Sequence, residues 1–597
     1  MAAYVAPVRD MRFVLDHVIG YEDLTKLPGY AEAGGDFVAT ILEEAGKFTA
    51  EVLGPLRRSA DAEGARIENG QVRTAKGFAE AYRQYVEGGW NGISLDPAYG
   101  GQGLPYIFGV ILNEMIASAN TAFGLCPMLN HGATEALLAH GSDELKATYL
   151  PKLISGEWTG TMNLTEPQAG TDVGALRTKA ERQADGTYLI SGQKIFITYG
   201  DHDMTDNIIH LVLARLPDAP AGTKGISLFL VPKFLVNKDG SLGARNDLRP
   251  VSLEHKLGIH ASPTCVMSYG DNGRCVGYLI GEENKGMSCM FTMMNLARLG
   301  VGMQGLGVAE LAYQQALGYA RERVQGKPIG ASDAKAPILE HPDVRRMLLT
   351  IKASVEAVRA IGYLNAKAID LAHHAADREE RWWNQGLADL LTPLSKAYGS
   401  DVGVEAASLA IQVHGGMGFI EETGVAQTLR DVRITPIYEG TNGVQAMDLI
   451  GRKLGQDAGE HWQALFNRIE AFVNDLPPDG DLGAIADGVG HALAALRRAT
   501  AWMMAEREQS LRAAAAGATP YLRLFAMTVG AYLLGLGAKR ATAMLANGEG
   551  DAAYLQARVV VARFYVEQLL PPAVALVEPI VKGDALLYAL SVEQLAV

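Results

Sequence analysis

The hydrophobic periodicity of this 597-residue chain changes twice, and these changes limit the folds that it can adopt. Apolar residues recur at helical spacing from about residue 35 to 154. Between about residues 157 and 281 they instead form short β-branched runs bounded by turn residues, which is typical of strands. Helical spacing returns after Gly286 and continues through the rest of the chain. Helical and strand blocks that do not alternate predict a multidomain α+β protein rather than βαβ units.

The same pattern predicts where the domains begin and end. The Asp185-Gly186 pair before one strand is a hairpin turn sequence, so the strand block is expected to form an antiparallel sheet. The turn at residues 477–481 interrupts the last helical block near its start. The predicted segments are an N-terminal extension (1–34), an N-terminal helical domain (35–156), a central antiparallel β domain (157–285), a helical domain resembling a four-helix bundle (286–456) and an additional helical domain (460–597).

Composition and charge exclude several classes of protein. The fractions of 48% hydrophobic and 20% charged residues are typical of a globular enzyme. A net charge of -14 argues against broad binding of nucleic acid, which needs a basic surface. Four cysteines without paired metal spacing predict neither a disulfide framework nor a metal site, and they fit a reducing cytoplasm.

Targeting and membrane segments are not expected either. Residues 1–16 contain scattered charges and no uninterrupted apolar core, so they do not resemble a secretory signal. The uncharged apolar stretch 524–538 is shorter than the roughly 20 residues that a membrane-spanning helix needs, which favours a buried helix.

One glycine pattern resembles a dinucleotide-binding motif. Residues 300–305 read Gly-Val-Gly-Met-Gln-Gly, but that motif requires a preceding strand, and residues 291–298 already have helical spacing. Small residues that allow close helix packing are the better interpretation.

Two other segments concentrate polar and flexible residues. Residues 162–172 contain hydroxyls, a proline and a glycine, and could present several donors to a planar polar ligand, although alone they are no more than a loop. Far downstream, paired glycines at 415–416 precede Ile437-Tyr-Glu-Gly-Thr441. Partial burial of Glu439 would raise its proton affinity and suit a general base. Taken alone, however, Glu439 is better interpreted as a residue at a helix N-terminus that interacts with the helix dipole.

The order of these motifs resembles the acyl-CoA dehydrogenase family over roughly residues 35 to 455. In that family a T-E-P-x-A-G-S/T-D loop opens the central β domain, Q-x-x-G-G-x-G follows in the helical domain, and I-Y-E-G-T carries the base. All three occur here, beginning at Thr165, Gln412 and Ile437. The extensions at both ends are similar to the long-form subgroup of the family, as is the segment 256–264.

The resemblance implies an FAD cofactor and a set of residues that contact it. Thr165 should contact the flavin, Thr171 the pyrophosphate, and Phe196 and Thr198 the isoalloxazine ring. Tryptophan is usual where Phe196 stands, and phenylalanine keeps the stacking surface but lacks the indole donor. The full set of expected FAD contacts is Met162, Leu164, Thr165, Gly170, Thr171, Phe196, Thr198, Arg323, Gln412, Gly415, Gly416 and Thr441.

Some of these contacts imply an oligomer. Arg323, or alternatively Arg321, resembles the arginine that reaches the FAD of a neighbouring subunit, although the family's aromatic residue is missing from this loop. A homodimer or homotetramer is therefore expected. For the substrate, the resemblance implies contacts from Arg298, Asn295, Tyr438 and Gly440; Arg298 could otherwise be an ordinary exposed helical arginine.

The implied reaction is removal of the α-proton of an acyl-CoA by Glu439 while the β-hydrogen leaves as hydride to the flavin. The expected substrate is 3-(methylthio)propanoyl-CoA or a short or medium straight-chain acyl-CoA, and the expected acceptor is an electron-transferring flavoprotein. Three alternatives remain: an acyl-CoA oxidase that uses O2, a DNA-associated flavoprotein of the same fold, and a non-catalytic scaffold.

Overall fold

The computed structural model describes residues 4–330 and 335–596. Positions 1–3, 331–334 and 597, which belong to the first, fourth and last predicted segments, lie outside the described residues. The chain forms two compact units. The mixed unit comprises Lys47–Leu104 and Ala119–Ala297, and the helical unit comprises the ranges Met1–Gly46, Pro105–Ser118 and Arg298–Val597. Each unit is described by itself below.

Helices and strands occur in the order that the periodicity predicts, except that a short antiparallel hairpin at 66–73 lies within the segment 35–156, which was expected to be helical. The strands are β1 Arg66–Glu68, β2 Gln71–Arg73, β3 Thr159–Asn163, β4 Lys179–Arg182, β5 Tyr188–Thr198, β6 Ile208–Arg215, β7 Ile226–Pro232, β8 Phe234–Val236, β9 Leu242–Arg245, β10 Leu248–Leu253, β11 Thr264–Tyr269 and β12 Val276–Ile280. The helices are α1 Val8–Val14, α2 Glu22–Thr25, α3 Asp36–Phe48, α4 Leu56–Glu63, α5 Phe78–Glu87, α6 Tyr106–His140, α7 Asp143–Ser155, α8 Gly286–Glu322, α9 Pro342–His374, α10 Arg378–His414, α11 Val425–Val432, α12 Asn442–Asp448, α13 Glu460–Asn474, α14 Gly480–Gln509, α15 Leu511–Ala516, α16 Ala518–Ala546, α17 Ala552–Phe564, α18 Leu570–Val574, α19 Val577–Ile580 and α20 Val592–Leu595.

The main sheet of the mixed unit has eight strands. Seven of them follow the order β10-β11-β5-β12-β7-β6-β3, and β4 pairs with β5 and β6. The predicted hairpin at Asp185-Gly186 is confirmed, because β4 and β5 pair antiparallel on either side of it. The sheet is mainly antiparallel, but β6 pairs in parallel with β3 and, at one residue pair, with β4. The β4–β5 hairpin lies between β3 and β6 in sequence and supplies the long crossover that this parallel pair requires.

Apolar side chains of the mixed unit form a core on the sheet. Leu211, Leu213 and Leu228 pack with residues of α6 and α7, and all three are buried. A second cluster, which includes Phe229 and Val231, packs on neighbouring strand positions. Because successive strand residues point to opposite faces, β6 and β7 are buried on both sides.

In the helical unit, α8 and α10 approach so closely that only glycine fits at their crossing. A Cβ atom at Gly302 would lie 2.3 Å from the Ser395 carbonyl oxygen, and one at Gly305 would lie 2.2 Å from that of Gly399. The glycine pattern at 300–305 therefore lies within a helix, as expected, and its small residues serve helix packing.

A charged cluster lies inside the helical unit. Arg359 of α9 is fully buried and donates to Glu114 at 2.7 Å and to Glu310 at 2.8 Å. Nearby on the same helix, Glu356 accepts from Arg558 of α17 at 2.7 Å. Arg558 also lies 3.5 Å from Asp10 of α1, so side chains of the first and last parts of the chain meet at α9.

Among the described residues, three stretches are long and apolar enough to cross a membrane by length and composition: Tyr106–His140, Ala518–Ala546 and Ala552–Ile580. The second contains the apolar stretch 524–538, and 83% of its most apolar window is buried inside the protein. This agrees with the buried helix predicted there. The corresponding buried fractions are 89% for the first stretch and 39% for the third.

Candidate active site

The loop after β3 in the mixed unit carries Thr165 and is tied to strand β5. The amide of Ile195 donates to the Thr165 carbonyl oxygen at 2.9 Å. Glu166, the next residue, forms a buried ion pair of 2.8 Å with Lys194 of β5. Thr165 itself keeps part of its surface exposed. The structure therefore brings Thr165 together with the strand segment that contains Phe196 and Thr198.

Phe196 has an unusual conformation and an exposed ring. Its side chain is 58% exposed and its φ is 60°, a region that residues other than glycine rarely adopt. The pairing of β5 with β11 shifts register between Cys265 and Met267, so the strand bulges at this position. A bulge changes the direction in which side chains point, and here it leaves the apolar face of the Phe196 ring available to a planar ligand. Thr198, two residues further along β5, is partly buried.

The other expected cofactor residues of this loop differ in accessibility. Gly170 and Thr171 are exposed, and a Cβ atom at Gly170 would meet nothing within 4 Å. Met162 lies on β3 and is buried, and Leu164 is partly buried. The side chain of Met162 packs in the core, so a ligand contact by this residue would involve its backbone.

Glu439 lies in a tight turn of the helical unit immediately before α12. Its φ is 55°, and the turn is closed by the Asn442 amide, which donates to the Pro436 carbonyl oxygen at 3.0 Å. Thr441 caps α12 by accepting from the Val444 amide at 3.2 Å. Glu439 therefore lies two residues before the Thr441 N-cap and is not part of the first turn of α12.

The Glu439 carboxyl group is deeply placed and faces two cations. Burial raises the pKa of Glu439 to about 7, although the residue keeps some exposed surface, and Lys396 and Arg298 partly oppose this rise. The adjacent Tyr438 donates its hydroxyl to Gln304 of α8. Within residues 4–330 and 335–596, the Glu439 amide donates to no acceptor. A carboxylate with this pKa can accept a proton at neutral pH.

Lys396 of α10 was not predicted from the sequence. It is fully buried, and its Nζ donates to Asn442 Oδ1 at 2.9 Å, which anchors the turn that carries Glu439. Asn442 in turn donates to Asp401 at 2.7 Å. Burial lowers the pKa of Lys396 to about 7, against the opposing effects of Glu439 and Asp401. The sequence feature that could have indicated a role for Lys396 is the presence of a lysine within a mostly apolar helical stretch.

Arg298 of α8 is buried, so the alternative of an ordinary exposed arginine is wrong. Its guanidinium lies 3.1 Å from Asp448, which also pairs with Arg452 at 3.1 Å. The partner was not foreseen because Asp448 is 150 residues away in sequence. Asn295, one turn earlier on α8, is exposed. Burial lowers the pKa of Arg298, and Asp448 opposes that shift.

The residues expected to contact a neighbouring cofactor lie near the ends of α8 and α10. Tyr319 stacks on His414 with ring centroids 4.4 Å apart, which places these two helix ends together. Arg323 and Gln412 are both exposed. Gly415 and Gly416, also exposed, would have nothing within 4 Å of an added Cβ atom. These positions are accessible, and their role stays a prediction.

The side chains exposed in the mixed unit suit a planar heterocycle such as a flavin. The mixed unit offers an exposed aromatic face at Phe196 beside hydroxyl and amide donors, as a planar heterocycle requires. Among the described residues, no group of three histidine, cysteine or acidic side chains could hold a metal ion. The helical unit adds a buried carboxylate whose pKa suits proton abstraction. Each unit, taken by itself, thus carries one of the features found in the class of flavin-dependent dehydrogenases.

Comparison with known families gives the same result in more detail. The family profiles described as acyl-CoA dehydrogenase N-terminal, middle and C-terminal domains match residues 39–157, 161–271 and 284–455. A profile described as acetyl-CoA dehydrogenase C-terminal like matches residues 465–591. The chain belongs to the acyl-CoA dehydrogenase family, which is FAD-dependent.

Relatives of the same length are enzymes of this family. The chain is 48% identical to the 3-methylmercaptopropionyl-CoA dehydrogenase of Ruegeria pomeroyi, over 95% of this chain and 96% of the relative. It is 38% identical to a butyryl-CoA dehydrogenase of Syntrophomonas wolfei, over 95% of each chain.

Solved structures share the fold. ACDH-11 of Caenorhabditis elegans, solved with C11-CoA, has a TM-score of 0.77 and 21% identity, over 95% of this chain and 91% of that one. An acyl-CoA dehydrogenase of Bacillus anthracis, solved with FAD, has a TM-score of 0.74 and 20% identity, over 98% and 93%.

The charge of Lys396 gives a prediction for pH dependence. Glu439 must be deprotonated to act as a base, so kcat/KM is expected to fall as the pH drops below its pKa. Because the cation of Lys396 lowers that pKa, Lys396→Met should move this acid limb to higher pH. Lys396→Arg keeps the charge and should leave the limb near its original position. An unchanged profile for Lys396→Met would contradict the electrostatic role.

Proposed function

We propose that this acyl-CoA dehydrogenase converts a short acyl-CoA thioester to the 2-enoyl-CoA, with Glu439 as the catalytic base. The observation that carries the proposal is the Glu439 carboxyl group, held before α12 with its pKa raised to about 7 beside Lys396 and Arg298. A structural carboxylate at this position would be stabilised by a direct ion pair. No hydrogen bond to the Glu439 side chain is formed within the described parts of the chain, so the carboxyl group is free to receive a proton.

The residues of the chain divide the chemistry between them. Glu439 removes the α-proton of the thioester, and its own amide N–H is a donor for the thioester carbonyl as negative charge develops there. When bound, FAD supplies the hydride acceptor for the β-hydrogen. Tyr438 and Gly440 flank the base, and the Tyr438 hydroxyl is fixed on Gln304. Arg298, fixed on Asp448, supports the anionic form of the base through its charge.

Other residues are proposed to hold the cofactor. In the mixed unit, the face of Phe196 and the hydroxyls of Thr165, Thr171 and Thr198 suit an isoalloxazine ring and a pyrophosphate. Hydroxyl and backbone N–H groups fix the orientation of such a ligand, while the aromatic face supplies contact area. The exposed end of α10 with Gly415 is proposed for the adenosine side.

The proposed substrate is 3-(methylthio)propanoyl-CoA. The relative with 48% identity is named for this compound under its synonym, and the relative with 38% identity is named for butyryl-CoA. Both acyl groups are short and nearly equal in length. A short or medium straight-chain acyl-CoA is therefore the second candidate, and discrimination by one methylene-sized group amounts to about 10–200-fold in kcat/KM.

A substrate panel tests the proposal. The holoenzyme is mixed without oxygen with 3-(methylthio)propanoyl-CoA, butyryl-CoA, octanoyl-CoA and palmitoyl-CoA, and loss of the visible flavin absorbance is followed. We expect the fastest bleaching with the methylthio substrate, followed by butyryl-CoA. Fastest bleaching with palmitoyl-CoA would refute the substrate assignment, and no bleaching with any thioester would refute the reaction.

The acceptor and assembly belong to the same proposal. We infer that an electron-transferring flavoprotein reoxidises the enzyme, that the enzyme acts in the cytoplasm, and that it is a homodimer or homotetramer. An acyl-CoA oxidase is distinguished by stoichiometric hydrogen peroxide in air, and a DNA-associated flavoprotein by a salt-dependent shift of labelled DNA.

A further inference from the structure

We propose that the buried ion pair of Lys194 and Glu166 is a positioning device for the flavin contacts of the mixed unit. It fixes the Thr165 loop on β5 in the register that exposes Phe196. The inference rests on the proposed function, because it takes Thr165 and Phe196 to be FAD contacts. Neither Lys194 nor Glu166 is proposed to touch the cofactor.

Glu166 is the centre of a dense set of hydrogen bonds. The residue is only 3% exposed, and its two carboxylate oxygens accept five hydrogen bonds. The donors are Lys194 Nζ at 2.8 Å, Thr178 Oγ1 at 2.6 Å, the Thr178 amide at 3.0 Å, the Arg177 amide at 2.7 Å and Gln168 Nε2 at 2.7 Å. The carboxylate therefore connects three segments: its own loop, the chain just before β4, and β5.

Lys194 completes the connection on the other side of Thr165. Its ammonium is fully buried and also donates to the Leu164 carbonyl oxygen at 3.0 Å. The Ile195 amide donates to the Thr165 carbonyl oxygen at 2.9 Å. The residues immediately before and after Thr165 are thus both bonded to Lys194, and Thr165 has its backbone bonded to the following residue of β5. This arrangement leaves the loop little freedom to move along the strand.

The Phe196 conformation supplies an independent observation. Phe196 is two residues beyond Lys194, at the register shift of β5 against β11, and its φ is 60°. A strained backbone conformation persists only where the surroundings enforce it, and such conformations concentrate at ligand sites. Lys194 pairs in register with Met267 on one side of the shift, and Ile197 pairs with Cys265 on the other. Lys194 thus fixes one end of the bulge that presents the ring.

Electrostatics keeps the pair ionised at neutral pH. Burial would raise the pKa of Glu166, but the Lys194 cation and hydrogen bonds from Thr178 and Arg177 lower it to about 2. Burial lowers the pKa of Lys194 to about 8, against the attraction of Glu166. A buried pair is seldom a large net source of stability compared with apolar residues, but it fixes geometry because its bonds are directional.

The mixed unit contains a matched control. Lys233 and Asp201 form another buried ion pair, at 2.6 Å, with side chains 9% and 3% exposed. Asp201 accepts from the Val72 amide at 2.9 Å, so this pair connects to strand β2 rather than to the Thr165 loop. Disrupting it removes a similar interaction without touching the proposed cofactor contacts.

The experiment separates positioning from stability. Lys194→Met should lower the melting temperature and weaken FAD binding by about 10-fold or more, which corresponds to about 1.4 kcal/mol. Adding Glu166→Gln to Lys194→Met removes the unpaired buried charge and should recover part of the melting temperature, while FAD affinity stays weak. Lys233→Met should lower the melting temperature and leave the FAD dissociation constant of the folded protein within about twofold of wild type.

Each outcome decides for or against the positioning role. FAD affinity is measured by titrating deflavinated protein and following flavin fluorescence. Recovery of FAD affinity together with melting temperature in the double variant would overturn the inference, as would an equal loss of FAD affinity in Lys233→Met. If Lys194→Met does not fold, Glu166→Gln alone carries the same comparison with Lys233→Met. Failure of the wild-type protein to bind FAD would instead overturn the proposed function.

Discussion

Replacing Glu439 by glutamine is expected to reduce turnover of the best acyl-CoA substrate by about 10³-fold or more, which lies in the middle to upper part of the range for loss of a general base. The amide has almost the shape of the carboxylate, so it fits the same turn, but it cannot accept the α-proton. The raised pKa of Glu439 is a property of the carboxyl group and disappears with it. The thioester should still bind, because its other contacts are unchanged.

The measurement is dye reduction under saturating substrate, alongside the visible spectrum of the purified protein. We expect the variant to retain bound FAD, with a much lower kcat and a KM that changes little. Glu421→Gln is a suitable control, since Glu421 is exposed and pairs with Arg430 at 2.9 Å. Near-normal activity of Glu439→Gln with bound FAD would show that another group is the base.

The largest effect on stability is expected from Arg359→Met. Arg359 is fully buried between Glu114 and Glu310, and Tyr363 also donates to Glu114 at 2.7 Å. Removing the guanidinium leaves two carboxylates buried close to each other without a cation. Breaking a buried pair in this way typically costs about 3–5 kcal/mol of the free energy of unfolding.

Urea unfolding followed by far-ultraviolet circular dichroism measures this loss. The control variant is Arg523→Met. Arg523 donates two hydrogen bonds to Glu405, at 2.7 and 3.1 Å, and both side chains are partly exposed. Exposed pairs contribute about 0–1 kcal/mol, so this control should change the urea midpoint little. Equal midpoints for the two variants would show that the buried cluster is not a stabilising centre.

The fold was largely predictable because its elements differ in period and length. The helical spacing that returns after Gly286 corresponds to α8 and the helices that follow it, and the short runs between about residues 157 and 281 correspond to β3–β12. The parallel pairing of β3 with β6 was not predictable, because periodicity identifies strands but not their partners. The division into two units was also not expected, since α6 and α8 each contribute residues to both.

For the site, the sequence indicated the residues that the motifs contain but not those that support them. Glu439 and Thr165 stand in recognisable motifs, and the structure shows each in a constrained turn or loop. Lys396 and Asp448 stand outside the motifs and reach Asn442 and Arg298 only through folding. Neither Lys396 and Asn442 nor Asp448 and Arg298 are separated by a regular helical or strand spacing, so a sequence pattern could not show that the members of each pair meet.

The meeting of Asp10, Glu356 and Arg558 also has a consequence for biosynthesis. During translation, Glu356 leaves the ribosome about two hundred residues before Arg558, as the 202-residue separation requires. Until then Lys352, which lies 3.0 Å from Glu356, is present, but the second cation of the cluster is missing. Domains commonly fold in order from the N-terminus as they emerge, but this unit can complete its interior only when synthesis is almost finished. A ribosome stalled before residue 558 would therefore carry an incompletely folded chain and present it to chaperones.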